Sequence, residues 1–308
     1  MKLSNKHHPQ RSGTRAFSFT SERVPRCALL SLVLPAVVSV ATMLAGQARE
    51  EKGIEYQPPP FREYLDIALP EGAGPFPAVV VLHGGGFRGG NRTDMGEFCR
   101  RLAESGFAAV AVDYRMPPEH PYPAALDDCV AAYRYILERH APDDIVVGGR
   151  SAGGNLAAAL MLRARDEGLP MPSGLVLLSP QADLTESGDS FETNRMVDVV
   201  LPGSLMSSNL LYANGADLKH PYVSPLFGDL KGLPATFLQT GTRDLFLSNT
   251  VRMHRALIAA GVKAELHVFE AMPHGGFMGG TPEDRELQEA VSRFVQDRWA
   301  CTIVHAGE

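Results

Sequence analysis

Short apolar runs recur along this chain, and they are continuous where a surface strand would alternate. Phe76 to Leu82, with Ala78-Val79-Val80-Val81 inside it, is followed by Phe107 to Val112, Ile145 to Val147, Leu175 to Leu178, Ala235 to Gln239 and Ala264 to Phe269. A strand covered on both faces has no polar side to present, so such runs predict strands of a buried, mainly parallel sheet. Between them lie segments with apolar residues at helical spacing. Ala124 to Arg139 sets Ala125, Cys129, Ala132 and Ile136 on one face; Ala152 to Arg165 is rich in Ala and Leu; Ser248 to Ala260 and Glu283 to Trp299 repeat the pattern. Strand and helix in alternation predict an α/β fold.

Three stretches depart from this rhythm. Residues 49–62 read as a polar, proline-rich approach ending in Pro58-Pro59-Pro60. From Asp183 to Pro221 runs a long insertion that mixes polar residues with Phe191, Met196, Val199, Val200, Leu201, Met206, Leu210, Leu211 and Tyr212. A connection of that length in a compact domain is usually functional or disordered, and this composition predicts a helical cap over a site. The first 48 residues form a leader. Six basic residues stand against Glu22, then a charge-free run from Cys27 to Ala48 ends in small residues. That order predicts a secretory signal and a secreted or periplasmic protein. An uncleaved run would be a membrane anchor, and a misassigned start codon would leave the protein cytoplasmic.

Composition adds limits. With 308 residues, 44% of them hydrophobic and 21% charged, the chain can build one large core, so residues 49–308 are read as one catalytic domain. The leader is net +5, so without it the formal charge moves from −6 to −11. An acidic body argues against nucleic acid or an anionic membrane as partner. A small molecule is the expected partner; with the leader cleaved no stable membrane contact is expected, and a homodimer is left open. Cys99, Cys129 and Cys301 would survive cleavage, an odd number that excludes a disulfide scaffold, and nothing has zinc-ligand spacing.

The candidate chemistry begins at Gly149-Arg150-Ser151-Ala152-Gly153, directly after Ile145–Val147. In G-x-S-x-G the chain turns sharply from strand to helix and exposes a serine, while the flanking glycines let neighbouring elements approach. His83-Gly84-Gly85-Gly86-Phe87 closes the strand before it. Consecutive glycines let backbone N–H groups face an oxyanion without side-chain obstruction. The same run also fits a dinucleotide-binding fingerprint through Gly84, Gly86 and Gly89, with Asp113 about twenty residues on. Against that reading, Asn91-Arg92-Thr93-Asp94 begins no clean helix behind the glycines, and the serine needs an oxyanion partner. His274 follows the run Ala264–Phe269 and is the candidate base. Asp244, after Ala235–Gln239, is the candidate carboxylate, and Ser151, Asp244, His274 is the chain order this chemistry takes on an α/β sheet. Asp183 and Glu270 are alternatives for the acid.

These motifs together resemble the bacterial hormone-sensitive-lipase-like esterases, in the branch that includes lactone hydrolases. The matching residues run from about Phe76 to Arg298 and include His83–Phe87, Asp113-Tyr114-Arg115, Pro118 to Ala125, Ser151-Ala152-Gly153-Gly154-Asn155, Ser179-Pro180, Asp183, Asp244 and His274-Gly275. The resemblance implies an α/β-hydrolase fold with a mainly parallel eight-stranded sheet. It implies a cap made from the N-terminal segment and the 183–221 insertion. It further implies a serine carboxylesterase acting on small to medium acyl esters, with Ser151, Asp244 and His274 catalytic. The amides of Gly85, Gly86 and Ala152 would form the oxyanion hole, and His83 and Gly84 would shape the loop. No cofactor or metal is implied. A lactone hydrolase using the same residues is the alternative, and a non-catalytic small-molecule binder of this fold is more remote, since His274 is retained. Two positions depart from the family pattern. Arg150 stands where an acidic residue or Thr is usual, and Asp244-Leu245-Phe246 replaces the usual Asp-Pro-Leu.

Overall fold

The computed structural model describes residues 48–305, apart from 202, 278 and 279. The leader therefore lies outside the described residues. Eight strands, β1 (Arg49–Gln57), β2 (Glu63–Leu69), β3 (Ala78–Leu82), β4 (Ala108–Val112), β5 (Ile145–Arg150), β6 (Gly174–Leu178), β7 (Ala235–Gly241) and β8 (Ala264–Phe269), form one sheet. Their order is β1-β2-β4-β3-β5-β6-β7-β8. From β4 to β8 every neighbouring pair is parallel, and β2 runs antiparallel to both β1 and β4.

The continuous apolar runs are explained by helices on both faces. In β3, Ala78, Val80 and Leu82 face a core built with α2 (Ala124–Leu137), α3 (Ala152–Asp166) and α6 (Leu247–Ala259). Val79 and Val81 face the opposite core, built with α1 (Gly96–Glu104) and α7 (Pro282–His305). All five residues of β3, β4 and β6 are buried. Cys129 lies in the first core and Cys99 in the second, both as buried free thiols, so the sheet separates them and no bridge joins them. Among the described residues no helix is long and apolar enough to cross a membrane.

Several expectations need correction. The segment read as an irregular approach contains β1, an edge strand whose first five residues are exposed. Its stability comes from pairing with β2, which leaves no apolar pattern to read. The described N-terminal segment therefore contributes a sheet strand, Arg49–Gln57, before its proline-rich loop. The run Ala264–Phe269 is also an edge strand, buried only at Phe269 among its six residues. A helix does follow the glycine loop. Asn91 caps a 3-10 turn, Arg92–Met95, by accepting from the Thr93 N–H at 2.9 Å, Asp94 accepts from the Asn91 N–H at 2.9 Å, and α1 continues from there. The insertion after Asp183 carries only two short helices, α4 (Ser190–Thr193) and α5 (Met206–Ala213); the rest of its described residues form turns and loops.

Candidate active site

The site lies at the C-terminal ends of β3, β5, β7 and β8, where four loops meet. Ser151 is the elbow between β5 and α3, with φ 60° and ψ −122°. A side chain is strained at such a φ, and the turn persists because its surroundings dictate it. The Ser151 N–H donates to the Leu178 carbonyl at 2.9 Å, and the Ser151 carbonyl accepts from Gln181 at 3.2 Å. A Cβ on Gly153 would stand 2.2 Å from the Leu82 carbonyl oxygen, so only glycine lets α3 start this close to β3.

Ser151, His274 and Asp244 are brought into one hydrogen-bonded line. His274 Nε2 is 2.9 Å from Ser151 Oγ, and Nδ1 is 3.0 Å from Asp244 Oδ1. A carboxylate accepts only, so Nδ1 carries the imidazole proton and Nε2 presents its lone pair to the serine hydroxyl. Asp244 is fully buried; its Oδ2 accepts from Thr240 Oγ1 at 2.9 Å and its Oδ1 from the Phe246 N–H at 2.9 Å. Burial alone would raise its pKa. The opposing charge of His274 and the hydrogen bonds from His274 and Phe246 outweigh that and hold it below the usual carboxylate range. The alternatives are elsewhere. Asp183 is buried but engaged by Thr185, Ser187 and Arg252, and Glu270 is exposed.

The glycine loop lies against the elbow. A Cβ on Gly84 would meet Ser151 Cβ at 3.2 Å, and one on Gly85, at φ +119°, would meet the Gly89 carbonyl at 2.0 Å. The glycines are thus required by the approach of this loop to the Ser151 turn and by its own tight fold. The Gly85 and Gly86 amides engage no carbonyl among the described residues. Ala152 opens α3, where an N–H has no intrahelical acceptor. His83 is 1% exposed and takes no part in the line. Its Nδ1 donates to the Gly84 carbonyl at 2.7 Å, its ring stacks on Tyr114 at 4.1 Å, and Tyr114 Oη donates to the His83 carbonyl at 2.7 Å. Burial pulls its pKa down, more than the Gly84 bond raises it, so it is neutral. Phe87, at φ 59°, stacks on Tyr212 of α5 at 3.9 Å and fastens the loop to the cap.

A cavity of about 550 Å³ opens onto Ser151 and His274, walled by Gly84 to Gly86, Arg88, Met95 and Arg150 on one side and by Val200, Leu201 and Leu205 of the insertion on the other. Residues of the insertion thus contribute to the wall of this cavity.

Sequence reasoning missed Asp198, which sits in that insertion and is 5% exposed. Its Oδ2 accepts from the Leu245 N–H at 2.7 Å; its Oδ1 accepts from Val200 at 2.9 Å, Leu201 at 3.2 Å and His274 at 3.4 Å. One carboxylate thus ties the cap to the acid loop and to the histidine loop. It also accounts for a departure noted above. A proline at 245 would have no N–H, whereas Leu245 has a buried one that needs an acceptor, and Asp198 provides it. The available signal was that departure itself.

Comparisons with known proteins bear on the fold and the family. A family model described as the alpha/beta hydrolase fold matches residues 79–278. An acetyl-hydrolase of Streptomyces hygroscopicus is 34% identical over 223 residues, 71% of this chain and 75% of that protein. An esterase of Acinetobacter venetianus is 35% identical over 223 residues, 70% and 74% of the two chains. The crystal structure of an esterase from the bacterial hormone-sensitive lipase family superposes with a TM-score of 0.76 at 32% identity, covering 82% of this chain and 85% of that one.

Proposed function

The chain belongs to the α/β-hydrolase family, among the hormone-sensitive-lipase-like esterases, and from that premise we propose that it is a serine carboxylesterase working through an acyl-enzyme on Ser151. The observation that carries the division of labour is the Asp244–His274–Ser151 line, with both ring nitrogens engaged at 3.0 and 2.9 Å.

His274 Nε2 takes the hydroxyl proton as Ser151 Oγ attacks the ester carbonyl. Asp244 holds the ring in the required tautomer and stabilises the imidazolium. The Gly85, Gly86 and Ala152 amides receive the oxyanion, and donors of this kind are each worth about 10²–10³ in kcat. The imidazolium then protonates the leaving alkoxide, which departs as alcohol. Water attacks the acyl-enzyme, His274 accepts its proton, and the acid and free Ser151 result. A cavity of about 550 Å³ with an aliphatic wall suits small to medium acyl groups. Ser151→Ala is expected to abolish p-nitrophenyl butyrate hydrolysis; full activity in that variant would overturn the mechanism.

For the compartment, the basic, apolar and small-residue order of residues 1–48 supports export. Expression of the full chain followed by N-terminal sequencing should find a start near residue 49 outside the cytoplasm.

A further inference from the structure

We propose that this pocket selects esters bearing an anionic group, a carboxylate above all, and that Arg150 and Arg88 bind it. The proposal rests on the esterase reading and adds the substrate class.

Arg150 ends β5, directly before the nucleophile, and both it and Arg88 wall the cavity that Ser151 and His274 share. Its guanidinium packs against Gly275, next to His274. Nη2, Cζ and Nε would stand 2.2, 2.7 and 2.7 Å from a Cβ on Gly275, so the absence of a side chain there makes its berth. Burial pulls the Arg150 pKa down, with Asp244 and Asp284 acting the other way. No hydrogen bond or ion pair joins this guanidinium to any described residue.

That is unusual in this molecule. Other half-buried arginines have carboxylates in contact: Arg92 with Asp66 at 2.8 Å, Arg115 with Asp128 at 2.7 Å, Arg163 with Asp127 at 2.5 Å and Arg252 with Asp183 at 2.8 Å. Asp244 and Asp284 act on Arg150 only without direct contact, and a partly desolvated cation with no carboxylate in contact is costly, so proteins normally pair it. Arg88, an exposed residue lining the same cavity, also has no ion-pair partner among the described residues, and its N–H bonds the Gly85 carbonyl at 3.1 Å. The acid on this wall, Asp94, already accepts from the Asn91 N–H at 2.9 Å.

The cavity therefore offers an aliphatic side from Val200, Leu201 and Leu205 and a cationic side from two arginines. An aliphatic ester with a terminal carboxylate fits both, since a guanidinium fork matches a carboxylate. The acidic body would otherwise repel such a substrate, so a local cation is what lets it bind.

Two matched pairs test this. Monomethyl glutarate against methyl pentanoate places the charge on the acyl side; butyryloxyacetate against ethyl butyrate places it on the alcohol side. The wild-type protein should show kcat/KM about tenfold or more higher for the charged member of one pair, and the pair identifies the side. Arg150→Gln should lower that ratio about tenfold through KM, and Arg150→Lys should restore part of it. Preference for the neutral member in both pairs would overturn the proposal. So would a ratio unchanged in Arg150→Gln, because a purely structural role lowers both members alike. Arg88→Gln, at an exposed position, repeats the test should Arg150→Gln fail to fold. Absence of turnover with all four esters would overturn the esterase reading instead.

Discussion

The loop after β3 and the loop after β8 make an instructive pair. Each leaves the C-terminal end of a parallel strand, each is glycine-rich, and each carries a histidine with almost no exposure, 1% at His83 and 3% at His274. Yet one ring is placed to move protons and the other is placed to hold a loop. At His274 the two nitrogens face a carboxylate and a hydroxyl. At His83 one nitrogen faces the carbonyl of the very next residue, and the ring is stacked on Tyr114. Burial and position on the fold do not make a base; a proton path through both nitrogens does.

The largest effect should come from breaking that path. His274→Ala is expected to lower kcat on p-nitrophenyl butyrate by roughly 10⁴-fold or more, with KM little changed. Asp244→Asn should come close to it, at about 10⁴-fold, because the imidazole is then held in the wrong tautomer. Comparable losses in His83→Gln would erase the contrast between the loops. Next in size is Asp198→Asn, which weakens the tie from the cap to Leu245 and His274. Its kcat should fall by about tenfold, in line with weakened charged hydrogen bonds of roughly 1.5 kcal/mol, while thermal unfolding still shows a cooperative transition. Equal activity in that variant would show the two loops to be positioned without the cap.

His83→Gln should have the smallest effect on rate, about tenfold or less, through a displaced glycine loop. It sharpens the comparison in another way. A histidine whose folded pKa is depressed binds fewer protons in the folded than in the unfolded state below about pH 6.5. Its contribution to stability is thus fully present above that pH and is lost as pH falls through the folded value. Melting curves from pH 7.5 down to 5 should therefore fall more steeply for the wild-type protein than for His83→Gln. Parallel curves would mean that His83 is protonated as readily folded as unfolded.

The same contrast bears on what could be read from the chain. Ser151, Asp244 and His274 were legible because each follows an apolar run that really is a strand, and the order of the three along the chain restricts their geometry. The central sheet was legible because strands packed on both faces leave a continuous apolar trace. β1 left none: Arg49 to Gln57 is held by backbone pairing at an edge, which any polar sequence can supply. Helix α1 was hidden by its polar start, where Asn91 and Asp94 cap a 3-10 turn before apolar spacing begins. The insertion was legible in its length and composition but not in its contacts. Asp198 sits in no periodic pattern, and its four acceptor contacts come from three segments remote from each other in sequence.

The backbone at Ser151 carries a consequence for the protein's history and its engineering. With φ 60° and ψ −122°, it occupies conformational territory that glycine enters freely and serine does not. Selection for folding alone would favour Ser151→Gly, which should melt higher and hydrolyse nothing. Serine is kept there against the local preference of the chain. A laboratory search for heat tolerance that does not also screen turnover would be drawn toward the one substitution that silences the enzyme.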